Sequence, residues 1–258
     1  MARESRTYQA QAIVLGHIDF GEADRILKIF TLEKGKISAI AKGVRKISSR
    51  KSGHLEPFTQ VHLFLAKGRD LDIITQAEAQ KPRFDLRADL CRMSLASYVV
   101  ELLDRFTYDE GSNPGLYRLI SQTLDRLESL ENFETAVRYY EIRLLDLLGY
   151  RPQLFQCIDC DALIQPQNQY FSPLAGGVAC PTCGRGRKEA WPIEKDVLRY
   201  LRHFQRSEWR AIASVVIPDG INRGMASLAE AYFSYLLESH LNTPEFMRKI
   251  RGFSQNSE

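Results

Sequence analysis

Two Cys-x-x-Cys pairs, Cys157-Ile-Asp-Cys160 and Cys180-Pro-Thr-Cys183, stand nineteen residues apart and constrain this chain more than any other feature. Each pair forms a turn whose two sulfurs converge, so the two pairs together offer four thiolates to one tetrahedral ion. The segment between them, DALIQPQNQYFSPLAGGVA, contains two prolines, a Gly-Gly and short apolar runs. It suits short strands and turns better than a helix. So small a unit buries too little apolar surface to fold alone, and bound metal supplies the missing stability. Disulfides do not suit a reducing compartment. A thioredoxin-like redox motif would use one pair at a strand–helix junction and leave the second unexplained. An iron–sulfur cluster also takes four cysteines, but the symmetric paired spacing favours zinc. The expectation is one structural Zn2+ held by Cys157, Cys160, Cys180 and Cys183, with no position left open for catalysis. Cys91, beside Leu90 and Met93 in a helical pattern, reads as a small core residue.

A length of 258 residues leans toward two modules. A hydrophobic fraction of 44% with 26% charged residues fits a globular chain with a sizeable core. The opening MARESRTYQAQAIVL has no signal-peptide core, and no apolar run approaches the ~20 residues that span a bilayer. No membrane is expected, and the location predicted is cytoplasmic.

Short β-rich runs recur over the first 80 residues, at 8–15, 25–31, 36–41, 60–66 and 71–79, separated by turn signals such as Gly21, Lys34-Gly35 and Gly68. Five short strands in this length fit a small closed barrel of the OB type, although an SH3-like barrel would read similarly. After Lys81-Pro82 the period becomes helical, through Leu86, Leu90, Met93, Val99, Leu102, Leu103 and Phe106. Further helices are expected at about 115–129, 133–149, 193–206 and 222–242, with Gly149 stopping the second and Ile193 opening the inward face of the third. The tail GFSQNSE is expected to be disordered. The predicted fold class is therefore multi-domain α+β. A five-stranded OB-fold barrel (1–80) precedes an all-α helical domain (81–258) with a four-cysteine zinc knuckle inserted at about 154–188.

No catalytic constellation stands out, since phosphate-loop, HExxH and GxSxG patterns are all missing. The chain reads as a non-enzyme. The acidic group Asp19, Glu22 and Asp24 is compatible with a metal-dependent nuclease, but reads more simply as a polar turn with Asp24 or Glu22 pairing Arg25. The informative stretch is KGKISAIAKGVRKISSRK (34–51), with Lys34, Lys36, Lys42, Arg45, Lys46, Arg50 and Lys51 and no acid. It lies in the expected barrel, where the groove around the second and third strands binds single strands. It also mixes cations with Gly and Ser, as a loop fitted to a phosphate backbone does. Phe20, Phe30, Phe58 and Phe64 are available for base stacking, and most of them are expected in the core. A weaker basic face comprises Arg185, Arg187 and Lys188, followed by Lys195, Arg199, Arg202, His203 and Arg206 opposite a helix's apolar stripe. It reads equally as an extension of the phosphate track or as a solvated surface.

Several stretches together resemble the RecO family of recombination mediators over nearly the whole chain. They are GEADR (21–25) followed by FT, GK (35–36), AKGVRK (41–46), LEPF (55–58), RYYEIRLLDLLGY (138–150), and FSP, GG and CPTC within 171–183. The resemblance implies an OB fold, a helical domain and an embedded zinc knuckle. It implies binding of single- and double-stranded DNA in a nucleoid-associated role, annealing of complementary strands, and recombinase loading on DNA coated with single-strand-binding protein. The partners it implies are RecR and the acidic C-terminal tail of single-strand-binding protein. Some members of the family lack the cysteines, so zinc is not general to the activity. An acidic-hydrophobic tail calls for an apolar pocket edged by cations, and Arg138, Tyr139 and Arg143 on the helix at 133–149 are the residues expected to form it. The rival class is a zinc-ribbon factor of transcription or translation that binds RNA or protein.

Overall fold

The computed structural model describes residues 6–108 and 111–244. The chain divides into two compact units, Met1–Ser129 and Leu130–Glu258, and each is described by itself.

The first unit opens with five strands, β1 (Thr7–Phe20), β2 (Asp24–Thr31), β3 (Gly35–Ala41), β4 (Gln60–Ala66) and β5 (Asp72–Lys81). They close into a barrel of order β1-β2-β3-β5-β4, with β4 returning to β1. The β3–β5 seam is parallel and registers only Ala39 with Asp72 and Ile40 with Ile73. This is the OB-type barrel anticipated from the strand spacing. A bulge between Val14 and Gly16 lets β1 pair with β4 along its first half and with β2 along its second. Alternate residues face inward, as a period of two requires. Ala10, Ala12 and Val14 meet Leu27, Ile29, Ala39, Ala41, Leu63 and Leu65, while Val44 and Leu55 of the β3–β4 connection join the same core.

Helices α1 (Phe84–Ala88), α2 (Leu90–Phe106) and α3 (Pro114–Ser129) complete this unit. The helical period after Pro82 is not one helix, because Asp89 caps a new one by accepting the Arg92 N–H at 2.9 Å. The buried face of α2 therefore starts at Ser94 and Leu95 and continues through Tyr98, Val99, Leu102 and Leu103. Leu90 and Cys91 fall on its first turn and are exposed, so Cys91 is not the core residue expected. Arg83, buried with a φ of 60°, leads into the helices and reaches Asp125 at 2.7 Å and Glu128 at 2.9 Å.

The second unit contains α4 (Phe133–Leu148), β6 (Gln169–Ser172), β7 (Gly177–Ala179), α5 (Pro181–Gly184), β8 (Trp191–Ile193), α6 (Lys195–Arg206), α7 (Trp209–Ile212) and α8 (Asp219–Leu236). Gly149, at φ +83°, ends α4 as a left-handed cap. The short strands form a sheet of order β7-β6-β8, with Phe171 of β6 packed edge-on to Tyr232 of α8 at 5.1 Å. Ile193 is buried but closes β8 and does not open α6. The last helix starts earlier than its apolar period suggested and ends at Leu236. The tail expected to be disordered lies outside the described residues. No described helix is long and apolar enough to cross a membrane.

Candidate metal centre and basic surfaces

The two cysteine pairs meet. All four sulfurs lie within 4.8 Å of one another, and they form the one group of three or more potential metal ligands among the described residues. The first knuckle is a turn in which Cys157 N donates to Ala162 O at 2.9 Å and Asp161 takes a left-handed φ. In the second, Cys180 precedes Pro181 at the start of α5, and Gly184 N donates back to Cys180 O at 2.7 Å. A Cβ on Gly184 would stand 2.5 Å from Cβ of Tyr170, so glycine is required where the knuckle presses on β6. Cys160 Sγ and Cys180 Sγ are 3.9 Å apart, too far for a disulfide. That distance matches the ~3.8 Å edge of a tetrahedron with ~2.3 Å metal–sulfur bonds. Burial raises the Cys157 thiol, but backbone donors from Cys180, Cys160 and Asp159 outweigh it and bring it down to about 6. The neighbouring sulfurs of Cys180 and Cys160 push Cys183 up to about 12. Four thiols so close resist ionising together without a cation between them, and the donor set fits one soft metal ion.

The structure splits the basic run of 34–51 between the two ends of β3. Lys34 lies on the β2–β3 turn with its Nζ 3.6 Å from the centre of the Tyr8 ring. Lys36 is held by Asp104 of α2, through the backbone carbonyl at 2.6 Å and the carboxylate at 3.2 Å. Both belong to packing within the unit. At the other end, Lys42, Lys46 and Arg50 are exposed on the β3–β4 connection, with Ile47 projecting fully into solvent between them. Lys51 turns inward and donates to Ile74 O of β5 at 3.0 Å.

The β1–β2 tip fixes this connection. Asp24 Oδ1 accepts the Gly43 N–H at 2.7 Å, and Arg45 N donates to Ala23 O at 2.9 Å. Asp19 lies 3.2 Å from Arg25 and 3.4 Å from Arg45. Arg25 also reaches Glu56, at 3.3 Å. Arg25 is thus paired by Asp19 and Glu56 and not by Asp24 or Glu22, because Asp24 is turned toward the loop backbone. Two members of the acidic group hold the basic loop in place. Of the four phenylalanines considered for stacking, Phe30 and Phe58 are buried and Phe64 is half-buried against His62. Phe20 is exposed at the end of β1, as is Ile18.

In the second unit the structure separates the weaker basic face into a part beside the cysteine pairs and a part along α6. Arg187 forms ion pairs with Asp159 and Glu189 and braces the first knuckle. Arg185 and Lys188 are exposed, as are Lys195 and Arg199 on α6. Arg202 donates to Leu154 O at 2.8 Å. The helix expected to receive an acidic tail is engaged internally. Arg138 is buried 3.0 Å from Glu141. Tyr139 is buried edge-on to Trp209 at 5.4 Å, and Arg143 reaches Asp146 at 2.9 Å and Ser207 O at 2.5 Å. These three side chains pack the unit and form no open, cation-edged pocket.

Two family models match in tandem, "Recombination protein O N terminal" over residues 3–83 and "Recombination protein O C terminal" over 87–245. The chain belongs to the RecO family. Relatives named "DNA repair protein RecO" include one from Roseiflexus sp. (strain RS-1), 36% identical over 98% of this chain and 89% of its own. Another, from Dehalococcoides mccartyi (strain 195), is 35% identical over 78% of this chain and 79% of its own. A third, from Desulforamulus reducens, is 32% identical over 95% of both. Two of the stretches that carry the RecO resemblance, GEADR and AKGVRK, prove to be the halves of one contact, joined by the Asp24–Gly43 and Arg45–Ala23 hydrogen bonds. Sequence reasoning did not single out Ile18 and Ile47. The available signals were, for Ile18, an apolar residue beyond the alternating core pattern of β1 and, for Ile47, an isolated apolar residue within a cationic loop.

Proposed function

We propose that this chain is a DNA repair protein that acts without catalysis, binding single strands on its barrel and promoting their annealing. The observation that carries this is the exposed group Lys42, Lys46 and Arg50 around Ile47, on a loop hydrogen-bonded to the β1–β2 tip that presents Phe20. Cations there neutralise phosphates, and an accessible aromatic ring offers a face to a base. Annealing is downhill once bases pair, so the protein need only lower phosphate repulsion and hold strands close. Recombinase loading on DNA coated with single-strand-binding protein, with RecR and that protein's acidic tail as partners, belongs to the same reading through the family. The metal is proposed to be one Zn2+ in a closed four-thiolate site, where it braces the fold and does no chemistry.

The test is titration of a labelled single strand of mixed sequence with the wild type and with the combined variant Lys42→Glu, Lys46→Glu, Arg50→Glu. The variant is expected to bind at least about tenfold more weakly at low salt. The slope of log affinity against log salt should fall by ~2, at about 0.7 per single-strand phosphate contact removed. Equal affinity in both proteins would remove the barrel loop as the binding surface. ATP-independent annealing by the wild type is expected in the same buffer.

A further inference from the structure

Beside the zinc knuckle, α6 and the loop before β6 enclose an open groove of about 500 Å³. Lys195, Arg199, His203 and Arg206 line one wall, Gln165 and Gln167 the other. From Lys195 to Arg206 is eleven residue steps, or ~16 Å of helix at 1.5 Å per residue. Asp196 is the groove's one acid, and it lies 3.4 Å from Arg199. Among the described residues, no carboxylate lies within ion-pair distance of Lys195, Arg202 or Arg206. Arg206 stacks on Phe155 at 3.8 Å from the ring centre, with Arg202 over the same ring at 5.3 Å. One Arg202 terminal nitrogen, Nη2, is buried with no hydrogen-bond partner. Burial and the neighbouring Arg206 charge hold the Arg202 guanidinium below its usual pKa. Two like charges fixed on one ring at the edge of a concave surface are an arrangement that a bound anion relieves.

We propose that this groove holds the sugar–phosphate backbone of a second nucleic-acid strand, bound independently of the strand on the barrel. The inference rests on the single-strand binding proposed above and adds a second site to it. A row of cations along ~16 Å suits an extended chain of phosphates, and the glutamine wall adds hydrogen-bonding groups for sugars or base edges. An acidic peptide is the less suitable ligand. It would bury apolar side chains as well, and the groove lining offers just Pro166 and Leu198 for them.

The experiment uses the full chain and two non-complementary oligonucleotides, one carrying a donor dye and the other an acceptor. The wild type is expected to bring them together and give energy transfer. Arg199→Glu with Arg206→Glu should keep affinity for one strand within about threefold, abolish energy transfer and slow annealing at least about tenfold. The neutral pair Arg199→Gln with Arg206→Gln should give an intermediate loss, and matching thermal melts would tie both effects to charge and not to misfolding. Energy transfer at the wild-type level in the Glu variant overturns the proposal. So does a variant that loses affinity only for a synthetic acidic peptide. The barrel variant separates the two readings. If it loses strand binding while the groove variant behaves as wild type, the barrel site stands and the groove falls; the reverse pattern removes the barrel site.

Discussion

At the scale of single residues, exposure decides which aromatic can meet a base. Phe20 is 52% exposed, whereas Phe30 and Phe58 are almost wholly enclosed. Stacking on one ring contributes about 1–3 kcal/mol per base. Phe20→Ala is accordingly expected to weaken single-strand binding by roughly fivefold or more and to leave the melting temperature unchanged. A binding isotherm paired with a thermal melt checks both halves. The sequence named all four phenylalanines but could not choose among them. The choice depends on the bulge after Val14, which swings the end of β1 away from β4 into a two-stranded tip with β2. Lys36 illustrates the same limit. Nothing within reach of it along the chain announces Asp104, 68 positions away, as its partner.

Between elements, that same Asp104 ties β2 and β3 to α2, through Lys28 at 2.9 Å and Lys36 at 3.2 Å. Burial raises its carboxyl, but the two lysines prevail and hold it below the usual carboxylate range. A depressed carboxyl binds fewer protons in the folded state than in the unfolded one. Its stabilisation is therefore full above the ordinary carboxylate pKa, about 4, and fades as pH falls through the lower folded value. Asp104→Asn should lower stability at neutral pH and flatten the acid limb of a stability–pH curve. Chemical denaturation at a series of pH values from neutral to about 2 measures it; parallel curves for the two proteins would contradict it. Strand and helix periods made most of these elements legible beforehand. The short helix α1 was missed because Asp89 interrupts a hydrophobic repeat that otherwise continues unbroken.

Over the whole molecule, the four-cysteine group and the loop proposed to bind single strands fall in different compact units. Loss of the metal should then cost stability before it costs DNA affinity. Cys157→Ser, or treatment with a zinc chelator, is expected to lower the melting temperature by more than ~2 °C, the scale of 1 kcal/mol in a chain this long. Single-strand affinity should hold within about twofold; a normal melt in the variant would contradict the bracing role. The cysteine spacing made the convergence of the four sulfurs legible, because two tight turns are a local pattern. The split of the basic run was not legible, since it follows from how β3 is threaded through the barrel.

That threading has a consequence for motion. Every other seam of the barrel is zipped by seven or more residue pairs, while β3 and β5 share two. Local opening begins where the fewest bonds must break, so hydrogen exchange is expected to be fastest along this line. Lys51, reaching from the loop to Ile74 O, works as a rivet beside the gap. The loop bearing Lys42, Lys46 and Arg50 is therefore hinged on the least firmly closed edge of an otherwise continuous wall.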